Sequence, residues 1–226
     1  MRVIAIIPAY NEALRIGETV AAVRRIRAVD EVLVVDDGSK DATSAVAARA
    51  GARVLTLQQN RGKGGALSEG IKAARGDILL FLDADLGRSA EQGRALLEPV
   101  LKGEADMVIA RFPERRHKGG FGLVKRLAAW GIWRLTGKTV SAPLSGQRAA
   151  RREVFAATGS LAPGWGIEVG LTIDAIRQGY RVVEVTTEMD HAVTGRSPGD
   201  FWHRGRQFLA VGRVILERLR RRDPVR

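Results

Sequence analysis

The chain has 226 residues, with 37 Lys+Arg against 25 Asp+Glu, three His and no Cys. That length supports one large domain or two small ones whose core needs no metal or disulfide staple, and the absence of cysteine excludes a disulfide scaffold, a thiolate nucleophile, a Cys-ligated zinc and an iron–sulfur cluster. The net charge of +12 suggests an anionic partner: nucleic acid, a lipid headgroup or a phosphorylated substrate.

The first half alternates between two periodicities. Val3–Ile7 is an apolar run stopped by Pro8 and predicts a buried strand. Leu14, Ile16, Val20, Val23 and Ile26 lie near helical spacing and predict an amphipathic helix over 12–28. Glu31–Val35 predicts a second strand, Asp36-Asp37-Gly38-Ser39 a turn, and Asp41 a cap for the Ala-rich helix that follows. A third strand is expected at Val54–Leu57, a helix from Gly62 to about Ala74, and a fourth strand at Asp77–Leu82. Residues 90–102 read as helix and Met107–Ala110 as a fifth strand. Strands alternating with helices predict an α/β fold with a doubly wound, mostly parallel sheet and helices on both faces.

The second half is less regular. A helix carrying Trp130 and Trp133 is expected at 121–135, then a loop with Pro143 and Gly146 and a short helix near Arg151–Ala157. Gly166–Gln178 reads as helix, Arg181–Val185 as strand and Phe201–Arg222 as a basic helix. No repeat or low-complexity linker divides the chain. A single domain over 1–226 is expected, with a regular half at 1–111, a less regular part at 112–198 and the basic helix at 199–226.

In open α/β sheets ligands bind beyond the carboxyl ends of the strands. Here those ends read Pro8-Ala9-Tyr10-Asn11-Glu12, Asp36-Asp37-Gly38-Ser39 and Asp83-Ala84-Asp85. Three acidic clusters on one sheet edge repel one another, which suggests a cation or hydrogen-bond donors between them. Residues two apart in an extended segment point the same way, and an oxygen-only set such as Asp83 and Asp85 suits Mg²⁺ or Mn²⁺ that also grips phosphates. Gly62–Gly65 with Lys63 would offer backbone N–H groups and a cation to a phosphate. Leu67 stands where the dinucleotide fingerprint G-x-G-x-x-G needs its last Gly, and Ile71-Lys72 stands where a P-loop needs Lys-Ser/Thr, which argues against both.

Taken together, Ile7–Glu12, Val35–Ser39, Asn60-Arg61-Gly62-Lys63-Gly64 and Asp83-Ala84-Asp85 resemble, in order and spacing, the motifs of family-2-type glycosyltransferases of the GT-A fold. The resemblance implies a metal-dependent hexosyltransferase using a UDP- or GDP-linked sugar, with residues 1–111 as the nucleotide-sugar-binding half and 112–198 as the acceptor-binding half. Pro8, Ala9, Tyr10 and Glu12 would line the base and ribose, and Asp37 would hold the base edge. Lys63 would sit near the nucleotide, Asp83 and Ala84 on the ribose side, and Asp85 on an Mg²⁺ or Mn²⁺ that bridges the diphosphate. Further on, Pro143–Ala149, Gly164–Leu171 and His191 resemble glucosyl-3-phosphoglycerate synthases. That resemblance implies an acceptor loop with Ser145, Gly146 and Gln147, Glu168 at the sugar and His191 completing the metal site. The Ser-Gly-x-Arg loop followed by Gly195-Arg196-Ser197 also resembles dolichyl-phosphate mannose synthases and would add Arg196 to the acceptor contacts, although Ala142 and Gln147 depart from that pattern.

The expected chemistry follows from charge. A leaving nucleoside diphosphate gathers negative charge, which a divalent ion on Asp85 with Lys63 or Arg196 nearby would stabilise. Glu168 is the candidate carboxylate beside the oxocarbenium-like anomeric carbon, or for a sugar hydroxyl; the plain alternative is an acid favoured by a helix N-terminus. Arg148 is expected to grip an acceptor phosphate through paired N–H bonds. The acceptor is expected to be a small phosphorylated molecule such as a phosphoglycerate, with a polyprenyl phosphate as the alternative and a sugar-nucleotide nucleotidyltransferase as a more distant one. Nucleic acid is not expected, because acidic strand ends repel phosphates. Oligomeric state stays open, a homodimer included.

Apolar runs such as Ile78–Leu82 are too short to span a bilayer, and the apolar start is shorter than a signal-peptide core, so a cytoplasmic chain is expected. In the last helix Phe201, Phe208, Val211, Ile215 and Leu219 form an apolar stripe flanked by Arg204, Arg206, Arg213, Arg218 and Arg220–Arg222. Docking of that stripe on the sheet is the favoured reading, with peripheral attachment to the inner face of a membrane, joined by the Trp-bearing helix, as the other.

Overall fold

A computed structural model describes residues 1–112, 122–157, 166–189 and 198–220. Seven strands form one sheet in the order β3-β2-β1-β4-β6-β5-β7: β1 Val3–Ala9, β2 Glu31–Asp36, β3 Arg53–Thr56, β4 Ile78–Phe81, β5 Met107–Arg111, β6 Arg148–Arg151 and β7 Val182–Thr186. All neighbours are parallel except β6, which runs antiparallel between β4 and β5. The helices are α1 Ile16–Arg24, α2 Thr43–Arg49, α3 Gly62–Ala73, α4 Arg94–Leu101, α5 Leu123–Thr136, α6 Arg152–Ala157, α7 Ile167–Arg177 and α8 Pro198–Arg220, with a 3₁₀ segment Gly87–Gly93 before α4.

The central strand shows why the inner strands are apolar throughout. Along β1, Val3, Ala5, Ile7 and Ala9 enter one core with Ile16, Val20, Val23, Leu96 and Leu97. Ile4 and Ile6 enter the other, with Leu67, Ile132, Val169, Ile173, Val211 and Ile215. Helices cover both faces, so both phases of the two-residue period are buried. This is the doubly wound α/β architecture expected from the sequence.

Several boundaries differ from expectation, each for a local reason. Strand β1 passes through Pro8 to Ala9. The Ile6 carbonyl accepts the Leu82 N–H on the β4 side, and the Ala9 carbonyl accepts the Asp37 N–H on the β2 side. Pro8 therefore faces β4, whose pairing has ended at Ile6, and its missing N–H leaves no ladder bond unmade. Helix α1 begins at Ile16, not 12, and Leu14 is fully exposed. Residues 90–102 divide into 3₁₀ and α segments. Strand β6 falls where a loop was expected, because Arg-Ala-Ala-Arg has little strand preference and is held extended by partners on both sides.

The last helix docks by a narrower face than the expected stripe. Val211, Val214 and Ile215 are buried, whereas Phe208 and Leu219 are 41% and 44% exposed. Arg218, expected on the solvent side, is buried and paired with Asp174 of α7 through Nε (2.8 Å) and Nη2. Among the described residues no helix is long and apolar enough to cross a membrane.

Candidate active site

A cavity of about 280 Å³ opens where β1, β2 and β4 end. Its walls carry Pro8, Ala9, Tyr10 and Glu12 after the first strand, Asp37 after the second, Asp83, Ala84 and Asp85 after the fourth, and Lys63 and Ala66 from α3. The topology thus gathers into one hollow residues that lie up to three strands apart in sequence.

Backbone–side-chain bonds hold these loops to one another. Asn11 has a left-handed backbone (φ 55°), its N–H donates to Ser39 Oγ (2.9 Å), and its own Oδ1 accepts the Lys40 N–H (2.9 Å). The Glu12 N–H donates to Thr43 Oγ1 at 2.8 Å. Asp36 and Asp37 divide the work of their pair. Asp36 accepts from the Ser39 N–H (2.9 Å) and the Ser44 hydroxyl and so builds the turn. Asp37 lines the cavity, with Oδ1 accepting the Arg61 N–H at 2.7 Å. Burial pushes its carboxyl up, and the N–H groups of Arg61 and Gly62 pull it back. Gly38 follows Asp37 at φ +76°, where a Cβ would also press on the Gln59–Asn60 backbone at 3.2 Å.

The segment Gly62–Gly65 is the first turn of α3 rather than a separate loop. It delivers Lys63, whose Nζ lies 2.6 Å from Asp83 Oδ1 and 3.9 Å from Glu168 Oε1. Burial opposes the ammonium charge, but Asp83 and Glu168 outweigh it and hold the amine above its ordinary range. The other oxygen of Asp83 accepts Gln147 Nε2 at 2.6 Å. Gly146 closes over this pair so tightly that a Cβ there would meet Lys63 Nζ at 2.3 Å. Gly146→Ala is accordingly expected to push the flexible lysine tip off Asp83 while sparing the fold. Stability should change by less than about 1 kcal/mol, while any turnover falls by about 10- to 100-fold, read from paired melting and rate measurements.

The Asp83–Asp85 turn is pinned by Thr19, a residue that sequence reasoning missed. Its fully buried hydroxyl donates to the Ala84 carbonyl (2.7 Å) and accepts the Gly87 N–H (2.8 Å). A polar residue inside the apolar stripe of α1 was the available signal. Glu12 faces this turn. Burial raises its carboxyl, Asp85, Asp41 and Asp83 raise it further, and Arg15 opposes them. That crowding of carboxylates, all oxygen donors, fits a hard divalent cation. Among the described residues no three ligands of the usual types converge on one point. An ion on Asp85 would draw its other oxygens or nitrogens from outside these residues. His191 and Arg196, expected as metal ligand and acceptor contact, lie outside the described residues.

Glu168 sits in the first turn of α7. Burial pushes its carboxyl up, and Lys63 and Arg148 draw it down. Arg148 corrects an expectation. It is 2% exposed, and its donors are taken by the Ser145 carbonyl (Nε, 2.8 Å), Thr172 Oγ1 (Nη1, 2.8 Å) and the Pro143 carbonyl (Nη2, 3.5 Å). Burial pushes it down to about 10 despite Glu168 and Glu184. It braces the Pro143–Ser145 loop from within and presents no fork to a phosphate. Ser145 and Gln147 are likewise buried, Gln147 facing Asp83. Glu184 of β7, also missed, accepts from Ser141 N (2.9 Å), Ser141 Oγ (2.8 Å) and Ala142 N (2.7 Å) and so anchors the start of the same loop. Its sequence neighbours read as an ordinary strand and gave no signal.

Comparison with known proteins places this geometry. The family described as Glycosyl transferase family 2 matches residues 4–158. The glucosyl-3-phosphoglycerate synthase of Mycolicibacterium paratuberculosis is 32% identical over 192 residues, covering 75% of this chain and 58% of that protein. The human dolichyl-phosphate beta-glucosyltransferase is 42% identical over 96 residues, covering 35% of this chain and 30% of that protein. The crystal structure of the Mycobacterium tuberculosis glucosyl-3-phosphoglycerate synthase with Mn²⁺, UDP-glucose and phosphoglyceric acid superposes with a TM-score of 0.81 at 30% identity, covering 98% of this chain and 81% of that one. The chain thus spans less than two thirds of the curated synthase's length and nearly all of its own length against the solved one. The fold is that of the GT-A synthases, and the chain is a member of glycosyl transferase family 2.

Proposed function

We propose that this chain transfers a hexose from a UDP-linked donor to a small phosphorylated acceptor of the phosphoglycerate class. The observation that carries the reading is the cavity where Asp37, Lys63, Asp83 and Asp85 meet at three strand ends. Its likeness to a synthase holding Mn²⁺, UDP-glucose and phosphoglyceric acid supports the substrate classes. In this reading the chain is cytoplasmic.

Each group has a task set by its surroundings. Asp37, buried and fixed by the Arg61 N–H, offers its remaining acceptor capacity to the edge of the base, with Tyr10 beside it. Asp83, gripped by Lys63 and Gln147, is held rigid to receive ribose hydroxyls. Lys63 places a fixed cation at the cavity wall, where charge on the leaving diphosphate develops. A divalent ion held by Asp85 would supply Lewis-acid neutralisation of that diphosphate. Glu168 lies across Lys63 from Asp83, positioned for the sugar. Ser145, Gly146 and Gln147, with Arg196, would border the acceptor. Attack by the hydroxyl of a phosphoglycerate releases its proton, which an oxygen of the departing diphosphate would take up; a polyprenyl-phosphate oxygen, already ionised at neutral pH, would need no base.

Glu168→Gln is expected to lower kcat by about 10- to 100-fold with little change in the KM for donor. Because the Glu168 carboxyl is raised, it takes up its proton at a higher pH than an ordinary glutamate. Activity that needs the carboxylate therefore falls as pH drops through that raised value, and the Gln variant lacks this acid limb. A pH profile of kcat for both proteins checks the point.

The direct test of function incubates the chain with UDP-glucose, Mn²⁺ and 3-phosphoglycerate and follows UDP release and product mass. Phosphoglycerate-dependent release of UDP is the expected result. Transfer to a polyprenyl phosphate instead would favour the lipid-linked acceptor that the human relative's name suggests. Consumption of neither acceptor would overturn the reading.

A further inference from the structure

We propose that the outer face of the α5–α8 helix pair is a docking surface for an anionic lipid bilayer. The two helices run side by side in the same direction: a Cβ on Gly131 would strike Ile215, and one on Gly212 would touch Leu127. Arg177 ties their far ends together by donating to the Leu135 and Arg218 carbonyls. This seam and the α7 contact account for the buried residues of α8.

What remains outside is large and apolar. Leu209 is 72% exposed, Trp130 49%, Leu216 47% and Leu219 44%. Leu209 and Leu216 are two helical turns apart, so they lie in one row along α8. Taking the seam residues as reference, 3.6-residue periodicity puts that row and Trp130 on the same, outward side of the pair. Each apolar anchor has an exposed arginine one turn away: Arg126 and Arg134 around Trp130, Arg213 after Leu209, and Arg220 after Leu216. Glu217, which follows Leu216 and lies beside the row, is paired with Arg213 at 3.2 Å.

The pattern discriminates between occupants. A second copy placed on this face by twofold symmetry would set arginines against arginines. A bilayer with anionic headgroups accepts both components, with leucine and indole entering the acyl boundary and guanidinium groups remaining at the phosphates. The contact proposed is peripheral, since among the described residues no helix is long and apolar enough to cross a membrane. The proposal is independent of whether the acceptor is a small phosphate or a lipid phosphate.

Vesicle co-sedimentation of the purified chain tests it. Phosphatidylcholine vesicles are compared with phosphatidylcholine–phosphatidylglycerol vesicles at low and high salt. Binding to the anionic vesicles is expected to be at least about tenfold tighter and to weaken with salt. The charge-neutral variant Leu209→Ser/Leu216→Ser is expected to lose about tenfold in that binding, with its melting behaviour retained. Equal binding by the variant would mean that net charge alone attracts the chain, and would overturn the proposal. So would absence of binding, or a solution dimer in light scattering that the variant dissolves.

Discussion

Replacing Arg148 with Met is expected to lower the stability of the chain by about 3 kcal/mol and its Tm by roughly 6–12 °C. Arg148 is among the largest fully buried side chains, and its hydrogen bonds join three segments. Its Nε fixes the Ser145 carbonyl, Nη2 approaches the Pro143 carbonyl, and Nη1 reaches Thr172, whose own hydroxyl donates to the Glu168 carbonyl. A methionine fills much of the same volume but strands those acceptors without water, and it removes a cation that steadies the nearby Glu168 charge. Loss of function should follow from displacement of the loop carrying Gly146 and Gln147, not from loss of a substrate contact. Urea unfolding of Arg148→Met beside Thr172→Val checks this. Thr172→Val removes one acceptor and should cost about 1 kcal/mol. A change below about 1 kcal/mol for Arg148→Met would contradict the bracing role.

Asp85→Asn is expected to have the largest functional effect, with kcat/KM reduced by about a thousandfold and metal-dependent UDP binding lost. The fold should survive, since the turn itself is held by Thr19 through Ala84 and Gly87. A change in stability of less than about 1 kcal/mol is expected without ligand. Asp83→Asn offers the contrast. Asp83 is committed to Lys63 and Gln147, so its loss should release Lys63 and weaken donor binding both with and without metal. Titrations of UDP with and without Mn²⁺ for the two variants separate the roles. Retained Mn²⁺-dependent binding in Asp85→Asn would remove Asp85 from the ion.

The parts of this molecule legible in its sequence are those governed by local rules. Inner strands such as Ile78–Phe81 are uniformly apolar because both faces are covered, and the acidic and glycine-rich turns announce themselves at the strand ends. The parts that escaped depend on tertiary context. Strand β6 has neutral Ala and Arg residues and exists because β4 and β5 flank it. Arg148 read as a phosphate contact and Arg218 as a solvent-facing cation, yet each is buried by partners distant in sequence, Thr172 and Asp174. Glu184 and Thr19 act on loops they do not neighbour in the chain. In the site, the residue types at the strand ends were readable, but the pairing of Lys63 with both Asp83 and Glu168 was not. It requires α3, β4 and α7 to converge.

The central claim is that the cavity at the ends of β1, β2 and β4 is a nucleoside-diphosphate site completed by a divalent ion. Isothermal titration of the unmodified chain with UDP, in the presence and absence of Mn²⁺, tests it most directly. The account predicts saturable binding that strengthens by at least about tenfold with Mn²⁺, a gain of about 1.4 kcal/mol or more. UDP binding that is absent, or identical with and without the ion, would contradict it.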